Sequence, residues 1–193
     1  MKARRVSGFS LTELVVAMAV AMILTAVSLP YFLRAYRSYQ LSNAATQMAD
    51  ILRLTRYEAI RQNRPVVCVI QPDSSDPTMT DAFMTDTGGK QLTGVNARTI
   101  LLGPAGNLVS ASSVPGALPA AAQLGGTTPT TVSPSGATVR FDARGALSTG
   151  NVMAFYLKSS VAPEAGFRAV LLMPAGSIQI WTGDSTGHWQ QLR

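Results

Sequence analysis

The feature that most constrains this chain is an uncharged apolar run near its start. Residues 14–32 carry no charge, and Leu33 extends the run to 20 residues before Arg34 ends it. As a helix that is about 30 Å, the thickness of a bilayer's hydrocarbon core. Lys2, Arg4 and Arg5 precede the run, and basic residues on one flank keep that flank cytoplasmic. The remainder of the chain is predicted to lie beyond the inner membrane.

An ordinary secretory signal is the simpler alternative, with Ala26-Val27-Ser28 passing for its cleavage site. Two observations count against it. The run exceeds the apolar core of about 7–15 residues that such signals carry. Glu13 also stands at its leading edge, where a carboxylate in lipid costs on the order of 3 kcal/mol. A simple signal gains nothing from that cost, so Glu13 is a candidate functional residue. Pro30 removes a backbone donor and crowds the preceding turn. Because a helical pattern resumes directly after it, the proline reads as a kink or local melting point and not as a helix end.

Between residues 31 and 63 there is neither Gly nor Pro. Leu41, Ala45, Met48, Leu52 and Ala59 recur at helical spacing and give one apolar face, with arginines spread between them. This stripe is core packing, not a cofactor site. Residues 9–63 are therefore expected to form one helix, about 80 Å long, ended by Arg64-Pro65. Short strands are expected after it at 66–70, 99–102, 138–141, 153–158, 167–173 and 177–182. Residues 72–94 and 103–136, rich in turn-forming residues, read as loops, the second as a long flexible excursion. A helix followed by strands predicts an α+β fold, a long helix packed on antiparallel sheet. The expected division is 1–8 leader, 9–36 transmembrane segment and 37–193 head, with helix over 37–63 and strand-rich chain over 64–193.

Composition excludes several functions. The net charge of +6 falls to +3 without the first eight residues, since thirteen basic residues then face ten acidic ones. That argues against a nucleic-acid partner, which calls for basic residues concentrated on one face. Cys68, the single cysteine, lies in an apolar run and reads as an inert buried thiol. His188 is the single histidine and reads as a surface residue. Asp73, Asp76, Asp81 and Asp86 share one stretch, but their spacing is not that of a calcium loop, and solvated turn residues explain them. With no hydrolase, nucleotide or metal motif, neither an enzyme nor a cofactor is expected.

The start of the chain resembles a known signal. Lys2-Ala3-Arg4-Arg5-Val6-Ser7-Gly8 followed by Phe9-Ser10-Leu11-Thr12-Glu13-Leu14 is similar to the leader and amino terminus of type IV pilins and type II secretion pseudopilins. The resemblance implies that a prepilin peptidase cuts between Gly8 and Phe9 and that Phe9 becomes N-methylated. It implies that Glu13 pairs with the amino terminus of a neighbouring subunit, and that Pro30 is the family's helix-breaking proline. Leu52-Arg53-Leu54-Thr55-Arg56-Tyr57 running to Pro65-Val66, with Phe141-Asp142-Ala143-Arg144-Gly145 and Pro174-Ala175-Gly176-Ser177-Ile178, resembles the GspH/FimT minor pseudopilins. That implies a head with two small antiparallel sheets around the helix end.

The resemblance implies a structural subunit of a type II secretion pseudopilus or of a type IV pilus. Its partners would be other pilin subunits, the prepilin peptidase, the inner-membrane assembly platform and membrane lipid. An adhesin or DNA-uptake minor pilin is the alternative. Some members bind DNA through arginines around the late glycine, whereas Gly176-Ser177-Ile178-Gln179 carries no basic residue. Processing is the first test. Intact mass and amino-terminal sequencing of protein from the membrane fraction should give a methylated Phe9 and the 185 residues left when eight are removed from 193. A terminus at Leu29 would mean an ordinary signal peptide.

Overall fold

The computed structural model describes residues 10–93, 99–119 and 128–192. Helix α1 spans Leu11–Gln62. The chain forms two compact units, Met1–Tyr36 and Arg37–Arg193, with the boundary inside that helix. Asn63 ends α1 in the left-handed region, at φ 48°. The Arg64 amide reaches back to the Ala59 carbonyl at 3.2 Å, satisfying a carbonyl that the helix end would orphan. Pro65 follows and cannot continue the helix.

Among the described residues ten strands build two sheets. They are β1 (Val66–Pro72), β2 (Thr80–Thr85), β3 (Ile100–Leu102), β4 (Asn107–Val109), β5 (Thr130–Thr131), β6 (Ala137–Phe141), β7 (Met153–Lys158), β8 (Phe167–Leu172), β9 (Ile178–Gly183) and β10 (Trp189–Leu192). One sheet has the order β3-β2-β1-β6 and the other β10-β9-β8-β7-β4. Every pairing is antiparallel except that of β5, which runs parallel to β7.

The helix face predicted from spacing is the centre of the core. Leu41, Ala45, Met48, Leu52 and Ala59 are fully buried, joined by Ile51 and Ala49. They form one apolar cluster with Val66, Cys68 and Ile70 of the first sheet and with Phe155, Leu157, Val170 and Leu172 of the second. Glu58 is also buried on this part of the helix. Arg61 grips its carboxylate with two hydrogen bonds, 2.9 and 2.5 Å, and Gln62 adds another, so the charge is compensated within one turn.

The loop expectations fail in part. Residues 72–94 contain β2, which pairs with β1 from Val67↔Thr85 to Pro72↔Thr80. Its buried positions are Thr80, Ala82, Met84 and Thr85; two threonines and an alanine among them gave too weak an apolar pattern to mark a strand. Residues 103–136 contain β4, β5 and a 3₁₀ turn at Ala111–Ser113, and their described part is no flexible excursion. Leu118 is 5% exposed and packs with Trp181, Trp189, Ala169 and Leu171 on the far face of the second sheet. Gly116 meets the β9–β10 turn so closely that a Cβ there would lie 2.7 Å from the Gly187 carbonyl oxygen.

That cover explains β7 and β8. Met153–Leu157 and all of Phe167–Leu172 are buried, because one face meets the helix and the other meets this second cluster. Strands buried on both faces lose their alternation. The alternation Ile178-Gln179-Ile180-Trp181 in β9 divides its apolar residues between the two clusters. Trp181 is buried in the second cluster, while Ile178 and Ile180 lie half-buried against the first.

Two distant glycine turns meet at the end of α1. Gly145 (φ 78°) closes the turn after β6, and Gly176 (φ 79°) closes the β8–β9 hairpin. Arg56 of α1 runs past both and donates from Nε to the Gly145 carbonyl at 3.1 Å. A Cβ on Gly176 would stand 2.3 Å from that same oxygen and 2.6 Å from Arg56 Nε. The stretch after Gly176 has no basic residue of its own, but folding brings Arg56 against it, already engaged.

Gly176→Ala should therefore cost on the order of 3 kcal/mol, combining left-handed strain with a backbone clash. Gly89→Ala, at φ 81° with nothing within 4 Å, should cost only about 1 kcal/mol. Urea unfolding of the two variants decides, and equal losses would mean that the clash relaxes freely. Burial pushes the Cys68 thiol up to about 12, so it should resist a thiol reagent at pH 8 until the protein unfolds. Labelling at the rate of a free thiol under native conditions would contradict this.

Candidate assembly site on the N-terminal helix

Ser10 starts the helix. Its Oγ accepts the Glu13 amide at 3.2 Å and shares a hydrogen bond with Thr12 Oγ1 at 3.0 Å, while its carbonyl takes the Leu14 amide at 3.1 Å. These are the contacts of an N-cap. Glu13 is then the third helical residue, where a carboxylate gains from the helix dipole. The pattern Ser10-Leu11-Thr12-Glu13 has the spacing of a capping box, a signal that the sequence reading passed over. The backbone amide of Glu13 thus takes part in closing the first turn of α1. Gly8 and Phe9, the two sides of the expected cleavage point, lie outside the described residues.

From Leu14 to Leu33 the helix is uncharged, largely apolar and exposed all round, with Leu14, Val16, Met22, Ile23 and Leu24 all more than half exposed. It has the length and composition to cross a membrane. A surface of this kind is covered in the working protein by lipid or by other helices. Two of its hydroxyls are satisfied internally: Thr25 donates to the Ala21 carbonyl at 2.8 Å and Ser28 to the Leu24 carbonyl at 2.5 Å. Such bonds remove the polar cost inside lipid. Helix α1 runs unbroken through Pro30, so the proline is not a helix end. Lacking an amide hydrogen, it leaves the Ala26 carbonyl without its usual partner.

Of the four aspartates read as turn residues, Asp73, Asp76 and Asp86 are held in turns, whereas Asp81 lies in β2, paired with Gln71 and half-buried. Asp73 Oδ2 accepts the Ser75 and Asp76 amides, Asp76 Oδ1 takes the Thr78 amide and hydroxyl, and Asp86 Oδ1 takes the amides of Gly88 and Lys90. Among the described residues no three His, Cys, Asp or Glu side chains are grouped to hold a metal. His188 is exposed in the β9–β10 turn, its Nδ1 2.8 Å from Thr186 Oγ1 and 3.3 Å from Asp184 Oδ2.

Comparison with known proteins gives matches at both ends of this description. Residues 3–29 match the prokaryotic N-terminal methylation motif, and residues 44–176 match the model of type II transport protein GspH. Among solved structures, two crystal forms of the type IV minor pilin FimU from Pseudomonas aeruginosa are similar at 18% identity. One covers 74% of this chain and 88% of its own, with a TM-score of 0.47; the other covers 72% and 91%, with a TM-score of 0.46. No curated protein matches. Since the GspH model spans more than half of the chain, the chain belongs to the family of type II transport protein GspH.

Proposed function

We propose that this protein is a minor subunit of a type II secretion pseudopilus, or the equivalent minor pilin of a type IV pilus. The observation that carries the reading is the exposed apolar helix over residues 14–33, joined to a methylation motif and a GspH head. A head with its own core needs no such helix for its stability. The helix serves an insoluble environment, first lipid and then the packed helices of a filament. The protein acts as a scaffold and not as an enzyme. Prepilin peptidase cuts after Gly8, Phe9 is methylated, and the subunit waits in the inner membrane with its head in the periplasm until the assembly platform draws it out. Pro30, with the Thr25 and Ser28 side-chain bonds just before it, is where α1 bends or melts during that passage.

Glu13 selects the neighbour. After cleavage the leader's basic residues are gone, and the amine of Phe9 on another subunit becomes the opposite charge that its carboxylate meets in a low-dielectric surrounding. Glu13→Ala should leave membrane insertion and leader removal intact while crosslinking to filament partners is lost. Glu13→Gln separates the two roles: an amide keeps the capping-box geometry but not the charge. A Gln variant that assembles like wild type would assign Glu13 to helix capping alone. Crosslinking yield, read beside secretion or piliation of the cells, is the measurement.

A further inference from the structure

The helix-facing side of the second sheet is apolar except at one end. Val170↔Ile180↔Leu192 form one cross-strand row over β8, β9 and β10, and the next row is Arg168↔Thr182↔Gln190. Arg168 is only 5% exposed. Its Nε donates to Ser42 Oγ at 3.1 Å and its Nη2 to Ser38 Oγ at 2.9 Å, while Nη1 serves the carbonyls of Phe167 and Ala165 at 2.9 and 3.4 Å. These four bonds use four of the five guanidinium hydrogens, and all four acceptors are neutral. No described carboxylate forms an ion pair with Arg168. Burial lowers its pKa with no opposing charge to raise it. A buried guanidinium left in this state is costly unless something answers its charge.

Arg168 lines a cleft of about 310 Å³, within the range of ligand sites. Ser38, Thr182 and Gln190 supply neutral polar groups, and Glu164 and Asp184 line the same cleft. Glu164 is paired with Arg37 at 3.0 Å. Asp184 accepts the Thr186 hydroxyl and the His188 amide, which hold its carboxyl well below the usual range and keep it charged. His188 also lines the cleft, its Nδ1 3.3 Å from Asp184 Oδ2, so the cleft offers one buried cation and two carboxylates that each already touch one basic side chain. A simple anion would meet the carboxylates as well as the arginine. A group carrying an anion and a cation together fits both.

Position along the chain narrows the source. Ser38 follows Leu33, the last residue of the apolar run, by five residues. Five residues span about 8 Å as helix and about 17 Å at full extension. A headgroup layer is on the order of 5–8 Å deep. Whatever the arrangement of the two units, Ser38 is tethered within reach of that layer if residues 14–33 lie in lipid, the reading on which this inference rests.

We propose that the cleft is a headgroup site for a zwitterionic aminophospholipid, its phosphate against Arg168 and Ser38 and its ammonium against Asp184 and Glu164. Occupancy would answer the charge of Arg168 while the subunit is in the membrane and would be lost on extraction into a filament. Each subunit would then exchange a lipid contact for subunit contacts.

The test uses the full-length chain in detergent micelles with ¹⁵N-arginine, the Arg168 Nε resonance being assigned by its loss in Arg168→Gln. It is titrated with short-chain phosphatidylethanolamine, with phosphatidylglycerol of the same chains, and with inorganic phosphate. Phosphatidylethanolamine should shift the resonance saturably and bind about tenfold more tightly than phosphatidylglycerol, the worth of one charge-assisted contact. Glu164→Gln combined with Asp184→Asn should erase that preference. Ser38→Ala should weaken phosphatidylethanolamine severalfold and supplies the variant arm should Arg168→Gln not fold. Phosphatidylglycerol binding as tightly as phosphatidylethanolamine, inorganic phosphate binding as tightly as either, or no saturable shift would each overturn the proposal. Flotation with vesicles of both lipids separates it from the membrane reading. A chain that floats without headgroup preference sinks only the cleft, and one that does not float sinks both.

Discussion

The head depends on burying one stripe of α1 between two sheets. From Leu41 to Ala59 the inward positions are fully buried, and the cluster they form takes in the inner faces of both sheets. Small residues in this stripe, Ala44, Ala45 and Ala49, let strands approach the helix, and the larger Leu41, Met48 and Leu52 fill the space between. Neither sheet completes the core alone. The first is a four-stranded layer of short strands, and the second needs the helix to cover one face. The same helix therefore serves two solvents. Its first part turns apolar residues outward in every direction, and its second confines them to one side.

The second sheet carries more structural demand than the first. Its central strands are covered twice, by the helix and by the segment around Leu118 with Trp189. Trp189 lies across Gly183, where a Cβ would stand 2.9 Å from its ring, and tilts against Tyr156 at 5.9 Å between ring centroids. A chain segment without regular structure thus becomes core by contributing a few apolar side chains and a tight glycine contact. Such a segment tolerates little change at Gly116 and Leu118, although its composition looks like that of a variable loop.

Arginine is used in three ways in the head, and only context separates them. Arg61 neutralises a buried carboxylate within one helical turn. Arg56 bridges from the helix to the carbonyl of a turn 89 residues away. Arg168 sits buried among hydroxyls and carbonyls at the edge of the core. The first was within reach of sequence reasoning, since Glu58 and Arg61 have helical i,i+3 spacing. The others were not, because their partners come from distant elements.

The sequence by itself determined the class of this protein. A 20-residue uncharged run, a glutamate at its head and an apolar stripe at helical spacing are local patterns, and local geometry fixes what they become. It also located six of the ten strands among the described residues to within a few residues and anticipated two antiparallel sheets through family resemblance. The N-cap at Ser10 was equally local and could have been read from its spacing to Glu13. Strands β2, β4, β5 and β10 were decided by tertiary structure, since their weak apolar patterns become strands only when β1, β7 and β9 offer them a hydrogen-bonding edge. The burial of Trp181 and Leu118, the meeting of Gly145 with Gly176, and the cleft over Arg168 likewise depend on contacts between residues far apart in sequence. Periodicity records which side of an element is apolar. It does not record what will come to lie against it.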